Sequence, residues 1–489
     1  MMGMTEQETR RAVAMWGIAM CLFAAAAGWV TMRFGMVWSI ADLPTSENMN
    51  WIVPAYIIAE VAVIPLSAKL MDIYGSRRIL PIGPLLFIGG SMLCVLSVSV
   101  EMLILCRFIQ GLGGGFILGM AFTVVGRYYE PTMRGKCHEL MTAAFAFGSL
   151  FGSAVGYFLT TNFNWRFSFI VLSLVVYIGL MMAWRLLPED EGSNDSPDVV
   201  GMILAVAMFG VATLYTQMAN VFFDLISIQS VVFVAVIIVL VYALIKHIKV
   251  YYSPIIPFGT SAFEKKLVVL MFMFSLCGLG LIQYFFKLYL TYYEFDIYKA
   301  SAMFIFLIAG AAGPSMLGCR YVFKTGIRPW VTIGAILVAI SLVVVHFIAD
   351  QGEVQLGISL FVFGFGLGCI VTEILCSLQC VVDRKDIGKH TGNLMTIRMI
   401  GILVGNAFVG SYIKEVVNRG RVPMSIDLNT TKDVLIQIGV DLLQNLQNAA
   451  QSLDNGLMST VLIMAVASVI LAYIAFKVGK KDLEELEKE

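Results

Sequence analysis

Charge is scarce in this sequence. Of 489 residues only 13% are Asp, Glu, Lys or Arg, while 59% are hydrophobic. A water-soluble chain carries about 25% charged residues, so this one cannot cover a surface in water. Histidine numbers four, and the nine cysteines form no Cys-x-x-Cys pair. That argues against a zinc site or a redox dithiol and leaves the cysteines as packing residues. There is no Walker loop, no HExxH and no GxSxG. The glycine run Gly111–Gly115 sits inside an apolar stretch and suits helix packing better than phosphate binding. No enzyme active site, metal or cofactor is therefore expected. A formal net charge of zero offers no nucleic-acid surface. His138, His247, His346 and His390 fall near the ends of apolar runs and are expected to be bystanders.

What is abundant is long apolar runs. A bilayer crossing takes about 20 such residues at 1.5 Å rise each. That window predicts an all-α polytopic membrane protein of fourteen spans, near 12–42, 50–72, 79–98, 102–126, 138–161, 166–187, 199–219, 226–248, 267–292, 299–322, 329–349, 355–381, 391–414 and 457–478. The first span is expected to end or unwind at Asp42–Pro44. It lacks a signal-peptide cleavage pattern and is expected to be retained. Lys and Arg concentrate on alternate loops, with Arg77 and Arg78, Arg127, Arg134 and Lys136, Lys265 and Lys266, and Lys480 and Lys481 on one face. That excess marks the face as cytoplasmic, with both termini there and the chain multi-pass in the inner cell membrane. The polar segment 414–456 falls on the outer face. It is expected to be an amphipathic helix lying on the membrane, or a docking site for a periplasmic adaptor.

An internal repeat is visible. LMDIYGSRRIL after the second span has an echo in YVFKTGIRPWV after the tenth, and pairing Gly75 with Gly326 sets an offset of about 251. The same shift pairs QGLGGGFILG with GFGLGCI, and Gly148-x-x-x-Gly152 with Gly401-x-x-x-Gly405. Two related six-helix halves are predicted, over 1–190 and 263–489, with two inserted helices over 191–262. The Gly-x-x-x-Gly runs are expected where the halves approach.

These motifs carry a resemblance. AKLMDIYGSRRIL is similar to the G-x-L-x-D-R-x-G-R-R/K signature of the major facilitator superfamily, keeping Asp72, Gly75, Arg77 and Arg78 but not the residues at Ala68, Ile73 and Ser76. RFIQGLGGG from Arg107 resembles that superfamily's fourth-helix signature, and FNWRFSF a further feature before the sixth span. Fourteen spans resemble its drug:proton antiporters. Their fifth-helix G-P-x-x-G-G here reads GSLFGS, however, and their first-helix Asp falls in the run near Ala27. The resemblance implies the major facilitator fold, a cavity lined by spans one, four, nine and twelve, a small-molecule substrate and coupling to protons. For Arg107 it implies a role in proton coupling or gating.

Six charges lie deep in spans: Arg33, Glu60, Arg107, Lys287, Glu373 and Arg398. Each costs about 3 kcal/mol at the bilayer centre, so each must find a partner or water. Arg33 is expected to pair with Glu60, to contact an anionic substrate group together with Lys287, or to form a gating contact. A guanidinium's planar fork suits a carboxylate or phosphate. Glu373 and Glu60 are the candidate proton carriers, or fixed structural pairs. Trp29, Tyr56, Gln283 and Tyr284 are candidate substrate walls. Asp72, Arg77 and Arg78 are expected to lock the cytoplasmic end, and Arg398 either to gate or to snorkel towards the cytoplasm. Together these predict a proton-coupled exporter of an amphiphilic compound with an anionic or zwitterionic group. An organic-anion or siderophore-type carrier of either direction, possible as an importer, and a receptor that no longer transports, are the alternatives.

Overall fold

The computed structural model describes residues 6–44, 47–187, 197–218, 227–251, 262–277, 325–348, 353–383 and 386–420, with a few isolated positions between them. Every regular element among them is helical. The first half contains α1 (Glu6–Asp42), α2 (Ile52–Tyr74), the single turn α3 (Ser76–Ile79), α4 (Ile82–Val95), α5 (Val100–Tyr128), α6 (Pro131–Asn162) and α7 (Trp165–Trp184). Over 191–262, where two inserted helices are expected, lie α8 (Val199–Met218) and α9 (Ile228–Ile248). Then come α10 (Ala262–Cys277), α11 (Ile327–Ile348), α12 (Glu353–Val381) and α13 (Ile387–Gly420). Among the described residues nine stretches are long and apolar enough to cross a bilayer. Helices α6, α10 and α13 fall on further expected spans. Most of the tenth expected span and all of the fourteenth lie outside the described residues.

Local chemistry sets the helix ends. Side chains of Ser99, Asn164 and Ser227 accept the first free backbone N–H groups of α5, α7 and α9. Helix α1 stops at Asp42, two residues before Pro44, as its sequence anticipates. Asp42 Oδ2 then accepts from Asn164 Nδ2 at 3.2 Å, Trp165 Nε1 at 3.2 Å and Arg166 Nη1 at 3.3 Å. Arg166 also donates to the Val95 and Ser97 carbonyls at 3.1 Å. The FNWRFSF stretch thus ties α1, α4 and α7 together at one end of the bundle. At the far end of the described chain α13 runs on to Gly420, so the outer segment expected from Lys414 begins as a continuation of that helix.

The repeat has a geometric counterpart. Among the described residues the glycines with positive φ are Gly75 at 85° and Gly326 at 75°, the pair that sets the offset. Gly75 ends α2, and each glycine's N–H bonds back to the carbonyl four residues earlier, Met71 or Val322. Gly83 and Gly113 let α4 and α5 touch backbone to backbone, and Gly334 and Gly366 do the same for α11 and α12. Gly148, Gly152 and Gly156 of α6 lie on Phe23, Ala27 and Thr31 of α1, while Gly401 of α13 lies on Phe272 and Ser275 of α10. The expectation that these Gly-x-x-x-Gly runs join the halves is therefore corrected: they join helices inside a half. The halves meet instead where Gly388 and Gly392 of α13 reach Ala68 and Asp72 of α2.

Close packing makes one glycine a sharp test. A methyl at Gly115 would strike the Glu60 carbonyl oxygen and come within 2.5 Å of Val63 Cγ1, forcing α2 and α5 apart. Gly115→Ala is expected to cost about 1–3 kcal/mol, read as a lower unfolding temperature in detergent. Gly89→Ala, where a Cβ meets nothing within 4 Å, is the control expected to unfold no earlier.

Helix α8 packs on both α2 and α13, placing the inserted pair against elements of both halves. Met202, Ala205, Met208 and Phe209 of α8 cluster with Ile73 of α2 and Leu244 of α9. Most of α9 is exposed and apolar, including Val231, Ile238 and Val239, as a lipid-facing helix should be.

Candidate functional site

Of the six charges expected deep in spans, four have described side chains, and all four are buried: Glu60 (1% exposed), Arg107 (0%), Glu373 (0%) and Arg398 (6%). Arg33 lies within α1, with no side-chain description. Lys287, Gln283 and Tyr284 lie outside the described residues.

Arg107, Tyr56 and Glu60 form one group between α5 and α2. Arg107 Nη1 donates to Gln110 Oε1 at 2.6 Å, its Nε to the Ile52 carbonyl at 3.5 Å, and its Cζ stands 4.4 Å from the Tyr56 ring centre. Gln110 Nε2 passes the chain on to Ser91 Oγ at 2.7 Å. The Tyr56 hydroxyl donates to the Ala25 carbonyl at 2.9 Å, tying α2 to α1. Glu60 packs against Gly114 and Gly115, with Tyr56 and Arg107 as its electrostatic neighbours.

Glu373 is different. It sits in the middle of α12, and neither carboxylate oxygen has a hydrogen-bond partner among the described residues. Thr372 Oγ1 and Ser377 Oγ beside it are buried and equally unpartnered there.

Arg398 does not snorkel. It is buried on α13, its Cζ 5.8 Å from the Phe145 ring of α6, its Nη1 3.9 Å from Met395 Sδ. Phe145 in turn lies 6.4 Å from the ring of Trp29 on α1, which is 7% exposed.

At the Arg77 and Arg78 end the halves are locked. Asp72, at the last turn of α2, accepts the backbone N–H of Gly388 at 3.0 Å and of Lys389 at 2.7 Å. These are the opening residues of α13, where free N–H groups and the helix dipole favour an anion. Arg127 Nη2 pairs with Asp72 Oδ1 at 3.1 Å, and Arg127 Nη1 with Asp190 Oδ2 at 2.9 Å. Asp190 also accepts from Ser76 N at 2.8 Å, which holds the linker after α7 onto the Gly75 turn. The cation on Asp72 is thus Arg127. Arg78 is exposed and Arg77 half-buried.

A second lock has the opposite polarity. Arg134 of α6 donates through Nη1 to the Gln379 carbonyl at 2.6 Å, at the C-terminal end of α12, where a cation is favoured. His138 Nε2 lies 2.8 Å from Gln379 Oε1, and Gln379 Nε2 donates to the Phe122 carbonyl and Thr391 Oγ1, both at 3.1 Å. Two histidines expected to be bystanders are therefore buried at the seam, His138 at 0% and His390 at 8% exposed. His390 Nδ1 lies 3.8 Å from Glu264 of α10, and Lys69 of α2 is buried at 1%. Sequence reading missed Lys69, Arg134, Asp190, Glu264 and Gln379. Their one signal is placement within two turns of a span end, which suggests water until the other half covers them. Among the cysteines, Cys376 departs from the packing expectation by being disulfide-bonded.

Among the described residues no three His, Cys, Asp or Glu side chains are disposed to hold a metal. The arrangement can do mechanical and electrostatic work: a closed seam at one end, with buried carboxyl and guanidinium groups in the interior.

The comparisons agree with this architecture. The family model described as Major Facilitator Superfamily matches residues 18–406. The chain is 26% identical over 380 residues to multidrug resistance protein 3 of Bacillus subtilis (strain 168), covering 76% of this chain and 73% of that one. It is 26% identical over 383 residues to the drug efflux pump JefA of Mycobacterium tuberculosis, covering 75% and 73%. Among solved structures, the human organic anion transporter MFSD10 superposes with a TM-score of 0.66 at 12% identity, over 96% of this chain and all of that one. The proton:xylose symporter XylE gives 0.62 at 14% identity, over 99% of each. By the length of that family match, the repeat and the helical architecture, this chain belongs to the Major Facilitator Superfamily, a family of multi-pass membrane transporters.

Proposed function

We propose that the protein exports an amphiphilic organic compound with an anionic or zwitterionic group from the cytoplasm, driven by protons entering through Glu373. The observation that carries this reading is the Glu373 carboxyl, buried on α12 with neither oxygen bonded among the described residues. A purely structural carboxylate at that depth needs donors or a cation to offset several kcal/mol of desolvation. One with no fixed partner among the described residues is suited to exchanging its proton as the site alternates between water and protein.

Outward transport of drug-like compounds is supported by the names of the B. subtilis and M. tuberculosis relatives. The Asp72 and Gln379 locks act as the cytoplasmic gate, closed in this conformation and broken when the halves rock. Arg107, with Tyr56 and Glu60, couples the first half to that motion. Arg33 and Lys287 supply one cation from each half to the cavity. The orientation, with both termini cytoplasmic in the inner membrane, follows from the loop charges.

The test is transport by the purified protein in liposomes holding a pH dye, challenged with organic anions, zwitterions and lipophilic cations. Proton movement linked to anions or zwitterions is expected. Substrate movement with no change in the dye signal would overturn the coupling, and a response to cations alone would overturn the substrate class.

A further inference from the structure

Two buried donors near one aromatic ring lack partners among the described residues, and they come from opposite ends of the chain. Trp29 Nε1 of α1 and Arg398 Nε of α13 are both buried with no hydrogen-bond partner among the described residues. Both lie near Phe145 of α6, whose ring is 6.4 Å from the Trp29 ring and 5.8 Å from the Arg398 guanidinium. The other contact of that guanidinium is the Met395 sulfur at 3.9 Å, a weak acceptor. Among the described residues the buried Arg107 and Arg134 each have oxygen acceptors, Gln110 and the Ile52 carbonyl for the first and the Gln379 and Tyr129 carbonyls for the second, although Arg107 Nη2 and Arg11 Nε are unpartnered there too. Arg398 has no oxygen acceptor among them, and a buried guanidinium held by a sulfur alone is costly. Such a group persists where it is satisfied by something that comes and goes.

We propose that Trp29 and Arg398 seat the anionic group of the transported compound, with Phe145 stacking against its apolar part. The two ends suit an aromatic carboxylate or a related organic acid. The guanidinium offers a fork of donors to two oxygens, the indole adds an N–H from the other side, and the ring between them accepts a flat apolar body. Because α1 and α6 belong to one half and α13 to the other, such a ligand bridges the halves. Its arrival and departure then change the same seam that the Asp72 lock closes. This assignment rests on the reading of the protein as a carrier of an organic anion or zwitterion, but does not need proton coupling.

Binding to the purified full-length protein separates the two. The probes are 1-naphthoate and its neutral isostere 1-naphthamide, measured by calorimetric titration in detergent. The wild type is expected to favour the carboxylate. Arg398→Met is expected to weaken naphthoate by about 10- to 100-fold, as loss of a charge-assisted bond does, and to leave naphthamide within about 3-fold. Trp29→Phe, which keeps a ring and loses the N–H, is expected to weaken naphthoate by about 3- to 10-fold. Arg398→Lys, retaining charge without the fork, falls between wild type and Met. A second readout separates binding from structure: without ligand, Arg398→Met is expected to melt at the wild-type temperature or a few degrees above it, since it removes an unsatisfied buried cation. A wild type with no preference for the carboxylate, or Arg398→Met and Arg398→Lys variants that bind naphthoate normally, overturns the proposal. So does an Arg398→Met protein that melts well below wild type. Arg398-dependent binding with no proton movement in liposomes supports this site while refuting the coupling through Glu373.

Discussion

Replacing Asp72 with alanine is expected to open the Arg77 and Arg78 end of the bundle and to cut transport by on the order of 100-fold. The carboxylate gathers three donors: the N–H groups of Gly388 and Lys389 and the guanidinium of Arg127. Two of them belong to the other half's α13, so the contact exists only while the halves are together. In the closed seam an alanine leaves the Gly388 and Lys389 N–H groups with nothing to accept them, while Arg127 keeps Asp190 and the Met71 carbonyl, and removing one partner of such an arrangement costs about 3–5 kcal/mol. In the open state water meets the same groups, so the penalty falls on the closed state alone. At about 1.4 kcal/mol per factor of ten, the closed-to-open ratio drops by on the order of 10² to several times 10³. Desolvation of the carboxylate in the wild type works against the lock, which makes the lower end of that range the better guide. Asp72→Asn keeps one acceptor oxygen and loses the charge, and is expected to fall between. Arg78 and Asp383 are exposed on opposite sides of the seam, so spin labels at Arg78→Cys and Asp383→Cys read the opening as a distance. A longer distance should dominate in Asp72→Ala. An unchanged distribution would mean that the Arg134, His138 and Gln379 contacts close this end without Asp72.

Much of the architecture was legible because a bilayer makes length and hydropathy informative. A run of some 20 apolar residues has few other uses, and α1, α2, α5 and α12 stand where such runs predict them. Gly75 and Gly326, the pair that sets the expected offset, stood out in the sequence because a turn with positive φ tolerates few residues other than glycine. Deep charges were legible for the same energetic reason as the spans, and Glu60, Arg107, Glu373 and Arg398 are buried as expected. The partners of those charges were not. Periodicity along one helix says nothing about which neighbouring helix faces it, so Arg398 could not be placed beside Phe145, nor Arg107 over Tyr56. The seam was least legible. Lys69, Arg134 and Gln379 sit near helix ends, where a polar residue ordinarily meets water. Contact with the other half is what buries them to 3% or less. Asp190 hid in a polar linker, and only the folded Gly75 turn shows what it binds.

Glu373→Gln is expected to abolish substrate-linked proton movement while leaving the protein folded. Glutamine has nearly the shape of a protonated glutamic acid, and it cannot release a proton at any accessible pH. If Glu373 carries the coupling proton, the variant is fixed in the loaded form of the carrier. Net driven export should then fall to background, a loss of 100-fold or more on the scale of groups required for a whole step. Exchange of substrate down its own gradient needs no proton turnover and is expected to survive. Stability gives an independent sign. Both carboxylate oxygens are buried with no partner among the described residues, so an amide relieves the chance of burying a charge there. The melting temperature should stay level or rise by a few degrees, as it does when a functional group held at a cost is neutralised. A structural Glu373, bonded to something that needs its charge, predicts the reverse: lower stability, with any surviving transporter still coupled. Glu60→Gln supplies the contrast. Glu60 lies between α2 and α5 with Arg107 as an electrostatic neighbour, although its Oε2 is buried without a hydrogen-bond partner among the described residues, so Glu60→Gln removes a charge that Arg107 feels and is expected to be the more destabilising of the two. If Glu60→Gln alone lost the proton signal while Glu373→Gln kept it, the carrier would be the residue in the first half, and export would draw its proton path along α2 rather than α12.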